Sequence, residues 1–188
     1  MRKLKELYVS SFLELKNTRN LVLMAMFLAI AVVLGMTLTF FIVPTFKLSF
    51  VYLPNNFAFY LFGPAAGAII GGVSDVLNFI LNPKATFNLG ITLCAVLSGI
   101  LYGTIFYKKP FTLTRVIVAN IINLFTITIL RTYFLTFIYG DGFLELLKIR
   151  MPLSAAFLPV ETALLYALVK GVEATGVIRQ LKRTEREV

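Results

Sequence analysis

Long apolar runs, broken at short intervals by Pro, Gly, Asn and Lys, organise this chain. The first twenty residues are polar and basic. Leu4, Leu7, Tyr8, Phe12 and Leu15 recur there at helical spacing among Arg2, Lys3, Lys5, Lys16 and Arg19. That pattern predicts an amphipathic helix lying on an anionic membrane surface. Six apolar stretches follow, at about Leu21–Val43, Phe50–Phe62, Ala65–Leu81, Leu89–Phe106, Leu113–Tyr139 and Met151–Val172. The second is short and contains Pro54-Asn55-Asn56, so it crosses a bilayer only if broken or supported by its neighbours. Gly63-Pro64 predicts a turn, with Pro placed to open the next helix. Loops are expected at Pro44, Lys47 and Ser49, over Asn82–Asn88, at Lys108-Lys109-Pro110, and from Gly140 to Arg150.

Composition converts these stretches into membrane spans. Of 188 residues, 59% are apolar and only 14% charged, where a soluble domain carries about 25% charged residues. Mean hydropathy is +0.86. The expected fold is therefore an all-α membrane protein, a six-helix transmembrane bundle. It divides into a cytoplasmic amphipathic segment (1–20), the bundle (21–178) and a basic cytoplasmic tail (179–188). The chain has no His and one Cys, so no internal disulfide and no zinc site of the His/Cys type is expected, and no cofactor.

Charge then sets orientation. The net charge of +9 could suggest nucleic acid, but most of the basic residues flank apolar spans. With both termini in the cytoplasm, thirteen Lys and Arg fall inside and four outside (Lys47, Lys84, Lys148 and Arg150), with Arg131 inside a span. That asymmetry predicts cytoplasmic termini and an even number of spans.

Candidate chemistry is sparse. No nucleophile–base arrangement, phosphate-binding Gly loop or nucleotide-binding element is present, so no enzyme and no ATP hydrolysis by this chain is expected. Small residues recur at four-residue spacing: Ala25 and Ala29; Gly63, Gly67 and Gly71; Ala95, Gly99 and Gly103. Such rows let helices approach closely. The rows of the third and fourth spans predict packing inside the bundle. The first-span row, on an otherwise large-residue helix, suits either internal packing or a groove for another subunit. Asp75, Arg131 and Glu161 lie inside spans, where each is costly and should face a cavity or a partner. A structural carboxylate–Arg pair is one reading. A ligand site entered from outside is the other, favoured by Asn78, Asn82, Lys84, Phe87, Asn88 and Tyr133 near the same side.

The runs Leu48-Ser-Phe-Val-Tyr-Leu-Pro-Asn55, Leu61-Phe-Gly-Pro-Ala-Ala-Gly67, Gly71-Gly-Val-Ser-Asp75 and Phe87-Asn-Leu-Gly-Ile-Thr92 resemble the substrate-binding subunits (S components) of energy-coupling factor (ECF) vitamin transporters, most nearly the folate family. The resemblance covers about residues 12 to 175. It implies a six-helix bundle in the bacterial plasma membrane that binds a vitamin from outside. It also implies docking onto a transmembrane coupling subunit that carries two cytosolic ATPases, with Ala25 and Ala29 matching the family's coupling motif. Folate is the cargo it favours. Another vitamin, such as riboflavin or pantothenate, and a self-contained ion-coupled carrier are the alternatives. For folate, the flat ring would lie deep near Asp75 and Glu161, with Phe87 and Tyr133 packing on the ligand and Asn78 as a polar contact. The anionic tail would meet Arg131, Lys84 or Arg150.

Overall fold

The computed structural model describes residues 2–43, 46–81, 87–140 and 142–176. Helices dominate: α1 (Arg2–Glu14), α2 (Thr18–Thr37), α3 (Tyr52–Leu81), α4 (Leu89–Phe106), α5 (Leu113–Asn123), α6 (Ile129–Tyr139) and α7 (Phe143–Ala174). A π-helical turn, Leu124–Thr128, joins α5 to α6. Among the described residues, five stretches are long and apolar enough to cross a membrane: Thr18–Thr37, Tyr52–Leu81, Leu89–Phe106, Leu113–Ile138 and Phe143–Ala174.

The first expected span is shorter than its apolar run. Helix α2 is capped by Asn17, whose side chain accepts from the Arg19 N–H at 3.0 Å, and it ends at Thr37. Residues Thr39–Val43 (β1) instead pair antiparallel with Phe46–Ser49 (β2), aligning Thr39 with Ser49 and Phe40 with Leu48. The expected loop at Lys47 and Ser49 is thus a strand, and the all-α expectation gains a two-stranded hairpin. An unbroken apolar run reads alike as buried helix or strand, and only its β-branched and aromatic content favours the strand.

Helix α3 doubles back on itself. Gly63 takes φ +82° and ψ −169°, a conformation open to glycine. A continuous helix would hold Asn55 and Ser74 about 28 Å apart at 1.5 Å per residue. Asn55 Nδ2 instead donates to Ser74 Oγ at 3.0 Å. The halves 52–62 and 64–81 therefore run antiparallel, which gives the short Asn55-containing stretch its support.

The reversal is packed tightly. A Cβ on Gly63 would lie 2.8 Å from the Tyr107 ring and 2.9 Å from Ser11 Oγ. Tyr107 donates to Glu14 Oε1 at 2.9 Å, and Asn20 Nδ2 donates to Glu14 Oε2 at 2.6 Å, so one carboxylate of α1 ties α2 and the end of α4 to this turn. The second half of α3 packs on α4 through the expected small residues. A Cβ on Gly67 would sit 2.6 Å from the Gly99 carbonyl oxygen, and one on Gly71 2.5 Å from that of Ala95.

The last helix starts earlier than expected. Residues 143–150 are not a loop but the first turns of α7, whose Leu146 and Arg150 are buried while Glu145 and Lys148 are exposed. The charges belong to one solvated face of a helix, with Glu145 in the favourable first turn. The basic tail at 179–188 and the polar loop at 82–86, with Lys84, lie outside the described residues.

Candidate functional site

At the hairpin end of the bundle the helices diverge around a cavity of about 400 Å³, a volume that suits a small organic ligand. Its walls come from both halves of α3, α4, the π-turn region and α7, with Thr39 and Ser49 of the hairpin at the rim. Thr39 Oγ1 lies 2.9 Å from Ser49 Oγ, tying the two strands together there.

Polar side chains from five helices line or floor this space, and most hold one another in place. Tyr102 donates to Asn120 Oδ1 at 2.7 Å, and Asn120 Nδ2 donates to Thr162 Oγ1 at 2.8 Å. Ser98 donates to Asn123 Oδ1 at 2.9 Å, and Thr92 donates to Asp75 Oδ2 at 2.8 Å. Asn78 Nδ2 donates to the Ser74 carbonyl at 2.8 Å. Arg150, 7% exposed, donates through Nε to Thr132 Oγ1 at 3.1 Å. Buried polar groups that satisfy one another make a rigid wall.

Two charged groups on that wall are different. Glu161 and Arg131 both line the cavity, yet neither forms a hydrogen bond or ion pair with another described residue. No ion pair joins Asp75, Arg131 and Glu161 to one another. The structural carboxylate–Arg pair is therefore not what these residues form. An ionic group held in an apolar bundle without a partner is costly, and a cation and a carboxylate kept apart in one cavity suit a ligand with both donors and an anionic end.

Of the residues that the sequence singles out, Asp75, Asn78, Phe87, Arg131, Arg150 and Glu161 line this one cavity. Phe87 stands at its edge, its ring 5.0 Å from that of Phe79. Tyr133 does not belong to the wall. It is 51% exposed and packs edge-on against Phe134 and Phe137. Depth along the helix is right for Tyr133, but two residues from Arg131 is about 200° around the axis at 3.6 residues per turn, so it faces away. Ala25 and Ala29 are exposed on α2.

Sequence reasoning missed the neutral part of the wall: Tyr52, Asn55, Asn56, Tyr102, Asn120 and Asn123. A signal existed. An amide inside a hydrocarbon span needs a partner much as a charge does, and Asn120 and Asn123 stand three residues apart on one helical face.

The architecture is a helical bundle of membrane-crossing length with a polar cavity beside a strand hairpin. The chain belongs to the family described as the substrate-specific component of ECF transporters, whose profile matches residues 19–178. This family is a transporter component and not an enzyme family. Among curated relatives, the chain is 27% identical to the folate transporter FolT of Clostridium novyi (strain NT) over 141 residues, 74% of this chain and 82% of that protein. Among solved structures, it is similar to a crystal structure of FolT bound with folic acid, at 32% identity and a TM-score of 0.74, over 81% of this chain and 93% of that one.

Proposed function

We propose that this protein is a high-affinity folate-binding S component, which captures folate at the outer face of a bacterial plasma membrane. The observation that carries the reading is the cavity's pair of separated, unpartnered charges, Glu161 and Arg131. A pterin ring is flat and edged with N–H donors, and the glutamate tail carries two carboxylates. The ring end goes deep, towards Asp75 and Glu161, with Asn78 as a polar contact. Phe87 packs on the ligand near the mouth. The tail meets Arg131, with Arg150 and Lys84 as further cations on that side. Tyr133, facing away from the cavity, is left out of this arrangement. The likeness to FolT bound with folic acid supports the choice of cargo.

The remaining parts follow from the same reading. The reversal at Gly63 makes six passes of the bundle, and the thirteen-to-four charge asymmetry orients both termini to the cytoplasm. Helix α1 lies against the anionic inner leaflet. The exposed Ala25–Ala29 row contacts a transmembrane coupling subunit, which carries two cytosolic ATPases; this chain supplies the binding step and they supply the energy.

Calorimetric titration of the purified protein with folic acid and with a tail-less pterin tests the reading. Folic acid binds tightly and the pterin more weakly. A charge-assisted hydrogen bond is worth about 1.5–3 kcal/mol, so Arg131→Ala weakens folic acid about 10–100-fold and the pterin much less. A protein that binds no folic acid overturns the cargo. Equal losses for both ligands overturn the orientation.

A further inference from the structure

The cavity wall contains one polar atom that its neighbours leave unsatisfied, and its position bears on which ring the site accepts; the argument rests on the folate reading above. Asn55 stands on the short first half of α3 and lines the cavity. Its Nδ2 is fastened to Ser74 Oγ at 3.0 Å across the fold-back. Its Oδ1 is buried and makes no hydrogen bond, and among the described residues it is the one buried side-chain nitrogen or oxygen in that condition. The large majority of such atoms in folded proteins are partnered.

The neighbouring amides show what is unusual here. Asn120 uses both ends, accepting from Tyr102 and donating to Thr162. Asn123 accepts from Ser98. Asn88 accepts from the Gly90 N–H at 2.8 Å and so caps α4. Among the described residues, only Asn55 carries a buried acceptor given no donor. The last torsion of an Asn side chain is soft, so a small swing about the Ser74 bond turns Oδ1 towards the cavity. The group that completes it must be a donor, and the cavity side of Asn55 is where the flat end of the ligand lies.

We propose that Asn55 Oδ1 accepts an N–H from the exocyclic 2-amino group of the pterin ring, which makes Asn55 a specificity-determining residue for amino-substituted rings. Ser74 serves as its positioning partner, holding the amide by its other end.

The test compares folic acid with the analogue in which a methyl group replaces the 2-amino group. Leaving a buried acceptor unmet costs the wild-type protein about tenfold in affinity for the methyl analogue. Asn55→Leu, of similar size and without an acceptor, loses about tenfold for folic acid, leaves the methyl analogue unchanged, and so abolishes the preference. Asn55→Asp keeps an oxygen in place and retains the preference. Equal weakening of both ligands by Asn55→Leu marks a structural role and overturns the assignment, as does a preference that survives that change. Should Asn55→Leu fail to give folded protein, Asn55→Ala, smaller and also without an acceptor, decides: a lost preference there supports the assignment and a retained one overturns it. A wild-type protein that binds no folic acid overturns the cargo reading itself, a result seen before any variant is made.

Discussion

Helices α3 and α4 build two regions of opposite character. At the Gly63 end they touch backbone to backbone: a Cβ on Gly67 or Gly103 would lie 2.6 Å from main-chain atoms of Gly99 or Pro64. Towards the hairpin the same pair carries Ser74, Asp75, Asn78, Thr92 and Ser98, and the space between elements widens into the cavity. In lipid no hydrophobic effect separates these ends, because apolar side chains gain nothing by leaving the hydrocarbon. Small residues close one end by letting backbones approach, and mutually satisfied polar groups keep the other open. The row on α2 repeats the first motif without its partner, since Ala25 and Ala29 are exposed.

The comparison breaks most severely at the closed end. Gly67→Ala places a methyl group against the Gly99 carbonyl, and neither backbone can yield without moving its helix. Overpacking against backbone costs about 1–3 kcal/mol or more. The expected result is loss of most of the monodisperse protein on size-exclusion chromatography in detergent. The exposed row behaves differently. Ala25→Trp meets nothing inside the chain, so folic acid binding by the purified variant stays at the wild-type level. On the proposed docking of a coupling subunit at this row, folate uptake by cells that carry that subunit and the ATPases is abolished, because a bulky ring blocks the close approach. Loss of binding as well would make the row internal packing.

These contrasts also show what was legible beforehand. The turn at Gly63-Pro64 could be read because glycine and proline have few other uses side by side. The inward-facing charges could be read because the cost of burying them allows few alternatives, and the structure sets Asp75, Arg131 and Glu161 round one cavity. The hairpin was not legible, since Thr39–Val43 continues the apolar run of α2 without a break. The start of α7 was hidden because Glu145 and Lys148 read as a polar loop until a helix puts them on one face. Tyr133 shows the limit of an argument from depth alone: distance along a helix does not fix the direction in which a side chain points. Asn78 and Asn88 are legible because they stand near the outer loop, whereas Asn55, Asn56, Asn120 and Asn123 lie within apolar runs and carry no charge to mark them.

A smaller effect sharpens the open end. In the proposed arrangement Glu161 accepts from the ring, and Glu161→Gln keeps the shape and one carbonyl acceptor but removes the carboxylate that would strengthen that bond. Charge-assisted bonds exceed neutral ones by roughly 1 kcal/mol or more, so folic acid affinity falls about tenfold while yield and elution profile stay unchanged. A variant that binds as tightly as the wild type would remove Glu161 from the site.

The smallest effect is expected where the closed end is completed from outside the pair. Pro64 opens the second half of α3, and Gly63 before it has no side chain to cap the free N–H groups of the first turn. Ser11, fully buried on α1, supplies the missing oxygen. Its hydroxyl donates to the Phe62 carbonyl at 2.6 Å and accepts from the N–H groups of Ala65 and Ala66 at 3.0 and 3.3 Å. One side chain thus satisfies both helical halves of the reversal and fastens α1 to it. Removing a capping oxygen costs about 1 kcal/mol, which for a chain of this size is about 2–4 °C in Tm. Ser11→Ala therefore lowers the thermal midpoint in detergent by that amount. Folic acid affinity hardly changes in this variant, because Ser11 sits at the closed end and the cavity's polar wall is held by its own hydrogen bonds. A tenfold loss of affinity in Ser11→Ala would show instead that the two ends are coupled through the second half of α3.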